Sequence, residues 1–193
     1  MEFGINNFKD FVETISYGVT TVSLLGLWAT YISSKKQIHF TTMEKCVSNF
    51  KEIIKCSGSQ SDKSAEYIEF VSEELFYFEN GYLPLAVSIE WIDGMIDYLP
   101  FYDKNKVFIK SNRLDSLKNQ DQTIRHLRDY PRIRKAIQMR EEIDFEIAHV
   151  SIENENDREM RRQERDKIIY TVIMNLNIGW WKKFRLRQKI ANR

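Results

Sequence analysis

The sequence predicts an all-α protein, with one N-terminal transmembrane helix followed by a cytoplasmic helical bundle. Three observations carry this. Only seven Gly and three Pro occur in 193 residues, too few for a turn-rich β fold. An uncharged run of 21 residues, Thr14 to Ser34, lies near the N-terminus; as a helix it would measure roughly 30 Å, the thickness of a bilayer's hydrocarbon core. Beyond it, apolar residues recur every three or four positions, the helical period. The expected organisation is a short extracytoplasmic N-terminus (1–10), the membrane helix (11–34), a cytoplasmic helical domain (35–179) and a basic aromatic tail (180–193).

The flanks of the uncharged run set its orientation. Trp28 and Tyr31 stand where an aromatic belt belongs, directly before Lys35, Lys36 and then Lys45. By the positive-inside bias the following domain faces the cytoplasm, the short N-terminus lies outside, and the host is the inner (cytoplasmic) membrane. No Ala-x-Ala-like site follows the run, so it is expected to stay attached. One face reads Thr14, Gly18, Val22, Gly26, Thr30 at a strict spacing of four. Small residues at that spacing let two helix backbones approach closely in lipid.

Further along, Met43, Val47, Phe50 and Ile54, with Cys46 and Ile53 beside them, predict a helix that ends at Ser57-Gly58-Ser59-Gln60-Ser61. A second starts near Asp62, with Tyr67, Ile68, Val71, Leu75 and Phe78 inward, and stops at Asn80-Gly81. The third opens at Pro84 and sets Leu85, Ile89, Ile92, Ile96 and Leu99 on one stripe, up to Pro100. These two should pack as an antiparallel hairpin. Residues 101–122 read as loop with a short helix around Asn112 to Lys118. Pro131 restarts a helix, capped at or near Asp129, with Ile133, Ile137, Ile143, Ile147 and Val150 inward. Because no Gly or Pro occurs from Arg132 to Ile178, that stretch is either one long helix or, the preferred reading, two that break near Glu153-Asn154-Glu155. The last helix carries Ile168, Ile169, Val172, Ile173 and Leu176.

The formal charge of +1 hides a segregation. Asp62 to Asp103 contains ten acidic residues against Lys63 alone; Lys110 to Glu142 has nine basic and five acidic; Lys182 to Arg193 has six basic and none acidic. Glu66, Glu69, Glu73, Glu90, Asp93 and Asp97 are expected on the outer face of the second and third helices, an acidic surface for a basic protein partner. In the tail, Trp180, Trp181 and Phe184 interleave with Lys182, Lys183, Arg185 and Arg187, a composition suited to the headgroup region of a membrane. Packing on the acidic hairpin of the same chain, or on nucleic-acid phosphates, would use the same residues; the tether favours the membrane, and nucleic acid ranks last.

Catalytic constellations are not recognisable. His39, His126 and His149 are far apart, and Glu146-x-x-His149 has no second such pair, which a helical di-iron site needs. Cys46 and Cys56 lack zinc-type spacing and read as reduced core thiols. Glu66, Glu69, Glu73 and Glu74 read as a solvated helix face rather than paired catalytic carboxylates. Phosphate-loop and serine-elbow motifs are missing. The expectation is no catalytic residues, no metal and no cofactor.

Lys35-Lys36-Gln37-Ile38, Met43-Glu-Lys-Cys-Val-Ser-Asn-Phe-Lys51, Phe78-Glu-Asn-Gly-Tyr-Leu-Pro84 and Glu90-Trp-Ile-Asp-Gly94, behind a leading span, resemble small, uncharacterised single-pass helical proteins of bacteria. The resemblance covers Ser16 to Pro100. Some such proteins resemble, in layout, membrane components found near phage-defence genes, which implies a role in defence or stress and transfers no residue roles. The sequence thus leads to a non-enzymatic, membrane-anchored interaction or scaffold protein, with the bilayer, a protein and a second copy of the chain as partners. Two alternatives stay open: an effector that oligomerises through its membrane helix and perturbs the bilayer, and a ligand-sensing membrane protein.

Overall fold

A computed structural model describes the backbone of residues 5–55, 60–149 and 155–192, and side chains from residue 23 onward except at 56–62, 116, 150–155 and 193. The protein is 76% helical, in eight helices among the described residues. Two compact units divide the chain, Met1–Thr41 and Thr42–Arg193.

The first unit belongs to helix α1 (Ile5–Lys55). Among the described residues no helix is long and apolar enough to cross a membrane. Only Ser23 to Ser34 of the uncharged run has described side chains, about 18 Å of helix against the roughly 30 Å a span needs. The rest of the expected span, with Thr14, Gly18 and Val22, lies outside the described side chains.

In the second unit, α1 contributes Cys46 and Ile53 to the core, with Met43 and Phe50 packed beside them. Val47 and Ile54, expected inward, are exposed: the buried stripe is centred on Cys46 and Ile53. The expected stop at 57–61 lies outside the described residues but for its last two, which begin α2 (Gln60–Asn80). Helix α2 buries Tyr67, Ile68, Val71, Leu75 and Phe78 as its period requires, and also Phe70 and Glu74. It ends where Gly81 takes φ +73° and the Tyr82 N–H donates to the Tyr77 carbonyl, the left-handed cap that glycine adopts without strain. Helix α3 (Leu85–Ile96) follows Pro84 and buries Ile89, Ile92, Met95 and Ile96. Helices α2 and α3 meet in the antiparallel sense, Tyr67 lying 5.8 Å from Tyr98 and Phe78 6.4 Å from Trp91, but each packs more extensively on later segments, α2 on residues 115–136 and α3 on residues 155–191.

Residues 101–122 hold more structure than expected. Strands β1 (Phe101–Tyr102) and β2 (Phe108–Ile109) pair antiparallel, Phe101 with Ile109. Their connection, Asp103-Lys104-Asn105-Lys106, has no glycine; the Asp103 carboxylate instead accepts the backbone N–H groups of Asn105 and Val107 at 2.8 and 2.7 Å, a side-chain substitute for turn chemistry. The expected helix at 112–118 is a single 3₁₀ turn, Asp115–Lys118. Helix α4 (Gln120–Arg128) is capped by Asn119.

Helix α5 (Pro131–Ala136) has Pro at its start as expected, but Tyr130, not Asp129, is the N-cap and gives no side-chain cap. It lasts six residues, where the sequence predicted a long helix. Ile137 caps the helix, and β1 captures the chain just beyond, at Gln138: the Tyr102 N–H donates to the Ile137 carbonyl and the Met139 N–H to the Tyr102 carbonyl. Ile133 and Ile137 are buried, Ile143 and Ile147 only partly. The chain then forms α6 (Phe145–His149) and, after residues outside the described set, α7 (Glu155–Asn175), which buries Ile168, Ile169, Val172 and Ile173, with Leu176 just beyond. The basic tail is itself helical, α8 (Trp180–Ala191), and Leu186 and Ile190, four apart, bury its inner face against α7 and α3.

One guanidinium ties three of these elements together. Arg165 of α7 donates to the Asp93 carboxylate at 2.6 Å, to the Asp97 carboxylate at 2.9 Å and to the Ala148 carbonyl at 3.2 Å, and also to the Asp93 carbonyl. Arg165 and Asp97 are both buried. Removing one partner of a buried pair leaves an uncompensated charge, typically about 3–5 kcal/mol. Arg165→Met should therefore lower the unfolding free energy of the purified protein by about that amount, read from denaturant melts, whereas Lys118→Ala, which breaks the exposed pair with Asp115, should leave it within error.

Candidate anion-binding cleft

The β1–β2 turn, α4, α5 and the extended segment after α5 enclose a cleft of about 500 Å³. Its lining follows from local periodicity. In α5, Ile133 and Ala136 face the core, which turns Arg134 and Lys135 outward to the cleft. Across residues 137–140 burial alternates, Ile137 and Met139 in, Gln138 and Arg140 out, the two-residue period of extended chain. Arg128 closes α4, and Lys104 and Lys106 ride on the turn that Asp103 shapes. Six cations thus line the cleft against Asp103 alone, whose carboxylate already serves two backbone N–H groups. Lys104 also reaches the exposed Glu142. Among the described residues no carboxylate pairs with Lys106, Arg128, Arg134, Lys135 or Arg140.

Leu127 and Met139 are buried beneath these charges, with Ile124 at the edge. The buried Asn175 side-chain amide donates to the Gln138 carbonyl at 2.9 Å, so α7 holds the extended segment in place. Nearby, the Lys183 ammonium is pushed below the usual lysine range, first by burial and then by the charges of Lys135 and Arg140. Burial raises the Tyr102 phenol, which Arg134 partly offsets. Cations around an apolar floor, in a volume typical of small-molecule sites, suit a ligand with an anionic head and an apolar body. Arginine's planar fork matches phosphate or carboxylate oxygens.

Not every cation of this stretch belongs to the cleft. Arg132, one residue before Ile133, donates instead to Glu79 at 2.9 Å and lies 5.3 Å from the Phe76 ring centre. The cleft cations went unassigned in the sequence, where the only sign was the excess of basic over acidic residues from Lys110 to Glu142.

The residues singled out from the sequence are dispersed. Of the small-residue stripe, Gly26 faces open space and the Thr30 hydroxyl donates to the Gly26 carbonyl at 2.9 Å; Thr14, Gly18 and Val22 lie outside the described side chains. Trp28, Tyr31, Lys35 and Lys36 are exposed, with the two rings 6.1 Å apart. In α8, Trp180 (73%), Trp181 (60%) and Phe184 (40%) are exposed and both indoles stack on Phe184. Lys182 and Lys183 are half-buried, Lys183 donating to the Met174 carbonyl; Arg185 is exposed, and Arg187 lies over Tyr170.

The acidic face does not assemble as expected. Asp97 is buried, and Asp93 shares its hold on Arg165. Glu73 accepts from Lys45 and from the Tyr77 hydroxyl. Burial alone would raise the Glu73 carboxyl, but these hydrogen bonds outweigh it and lower it. Only Glu66, Glu69 and Glu90 remain exposed. The Glu146–His149 pair gathers no metal set: His149 contacts the Ile96 carbonyl at 3.2 Å, and among the described residues no cluster of three metal-ligating side chains occurs.

Family models, curated proteins and solved structures contain no match to this chain.

Five of the six cleft cations have no carboxylate partner among the described residues, so easing their mutual repulsion by mutation should stabilise the protein. Arg140→Gln should raise the melting temperature slightly at low salt. Raising the salt should abolish the gain, since it already screens the repulsion.

Proposed function

We propose that the protein is a membrane-anchored, non-enzymatic binding protein that takes a small phosphorylated ligand in its cationic cleft. The observation that carries this reading is the convergence of Lys104, Lys106, Arg128, Arg134, Lys135 and Arg140, drawn from three separate chain segments, on one apolar-floored cleft. Such a lining clamps and orients an anion. This is the ligand-sensing alternative in a specific form; it displaces docking through the acidic face, because Asp93, Asp97 and Glu73 spend their charge inside the fold.

Anchorage rests on α1. At 100° per residue, Leu24, Leu25, Leu27, Trp28, Tyr31 and Ile32 fall within an arc of about 160°, and Ser23, Gly26, Thr30 and Ser33 fall opposite. All six large side chains are exposed, Leu27 at 68%. An uncovered apolar face of this extent calls for lipid or protein, and the small face suits a second copy of the helix. The exposed indoles of α8, beside Lys182, Lys183 and Arg185, suit a second contact with anionic lipid. We assign the inner membrane as the site.

Two experiments test the halves separately. In membranes of a bacterial host the full chain should resist alkaline carbonate extraction, and Leu24→Asp with Leu27→Asp should release it; extraction of the unaltered protein would refute the anchor. In detergent, calorimetry should detect ATP but not adenosine. Charge reversal at Arg134 and Lys135 should weaken ATP by about tenfold or more. Equal affinity of the reversed variant, or binding of adenosine alone, would refute the ligand reading.

A further inference from the structure

A second cleft, of about 440 Å³, opens within the unit 42–193 among α1, α2 and α3. Its chemistry is the opposite of the first. Phe50, Phe70, Trp91 and Tyr98 form its walls, with Tyr67 fully buried behind them. Phe50 and Tyr98 meet edge to face at 5.4 Å, and Tyr67 lies 5.8 Å from Tyr98.

Into this aromatic lining α2 projects Glu74. The helical period explains the position: Glu74 follows Tyr67 by seven residues and Phe70 by four, so it shares their inward face, away from the exposed Glu66 and Glu69. The residue is 5% exposed and lines the cleft. The Glu74 carboxyl opens onto the cleft, where burial and the charge of Glu73 act on it and no hydrogen bond does; the neighbouring Glu73, by contrast, is held by Lys45 and Tyr77. Buried polar groups in proteins nearly always have a partner, and an orphan needs an explanation. Two cations also line the cleft and neither pairs with Glu74 among the described residues: Arg113 pairs with Asp97 at 3.6 Å and lies over the Tyr98 ring, and Lys51 is exposed at the mouth.

We propose that this cleft binds an organic ammonium ion with an apolar body, its cationic head on the Glu74 carboxylate and against the surrounding ring faces. Ring faces attract cations, more strongly when water is excluded, and a charge-assisted hydrogen bond to a buried carboxylate is among the strong ones. The apolar body would lie along Met95 and Trp91, and the exposed Glu90 at the rim favours entry of a cation. In the empty protein burial lifts the Glu74 carboxyl well above the usual range, and Glu73 adds to this. Cys46 shares the environment, its thiol pushed up to about 12 by burial first and then by Glu74. The inference does not depend on the cationic cleft or the membrane anchor.

The test uses the full chain in a neutral detergent, with 2-phenylethylammonium as probe and 2-phenylethanol as its uncharged counterpart, titrated by calorimetry. The ammonium should bind about tenfold more tightly than the alcohol. Glu74→Gln, which keeps the shape of the side chain and cannot ionise, should abolish that preference while leaving the alcohol's affinity unchanged. Phe50→Leu, at the half-buried edge of the cleft, should weaken the ammonium several-fold and serves as the deciding variant if Glu74→Gln does not fold. Absence of ammonium binding, equal affinity for the two probes, or an undiminished preference in whichever variant folds would overturn the proposal.

Discussion

Arg165 is the constraint on which the second unit depends. Its guanidinium reaches two carboxylates of the α3 end and carbonyls at 93 and 148. Without it the buried Asp97 would keep only the longer contacts with Arg113 at 3.6 Å and Arg161 at 4.0 Å, in a medium that solvates charges poorly. Helix α6, at five residues, is far too short to persist alone; it survives because Arg165 and Arg161 reach the Ala148 carbonyl and His149 meets α3. With α3 and α7 locked in this way, both clefts acquire their walls. The aromatic cleft takes Trp91 and Met95 from α3, and the cationic cleft takes the extended segment that Asn175 of α7 pins.

Charge is used in two ways in this chain. Much of the acidic stretch turns inward, each carboxylate serving a structural donor: Asp93 and Asp97 for Arg165, Glu73 for Lys45, Glu79 for Arg132 and the Asn177 N–H. Arg128, Arg134, Lys135 and Arg140, from α4, α5 and the segment beyond, instead face the cleft without a carboxylate partner among the described residues. Saturated acids hold the fold together, and unsaturated cations are available to a ligand. Glu74 breaks the pattern as an acid that is buried without a partner, which is why it points to a second ligand of opposite sign.

Apolar surface tells a parallel story. The second unit gathers its isoleucines, leucines and aromatics into one core, while α1 from Leu24 to Ile32 and the α8 start from Trp180 to Phe184 leave theirs uncovered. Leu186 and Ile190 secure α8, so its aromatic end is displayed from a fixed helix rather than from a loose tail. Water is a poor environment for surfaces of this size, and the bilayer contact proposed above would cover both.

Periodicity alone determined a good deal: the helical class, the inward faces of α2, α3 and α7, the glycine stop at Gly81 and the proline starts at Pro84 and Pro131. These are local properties, decided by side-chain spacing and by which backbone angles Gly and Pro allow. The uncharged run before Lys35 and the segregation of charge were equally legible. Partners distant in sequence decided the rest. Nothing in residues 132–144 announces a break, since no Gly or Pro is present; the helix stops because Tyr102, some 35 residues earlier, takes its backbone into pairing. Asp97 reads as a surface acid until Arg165 arrives from 68 residues away. Both clefts arise the same way, from side chains on segments that only packing brings together, because a hydrogen bond or an ion pair depends on distance in space and a sequence records only distance along the chain.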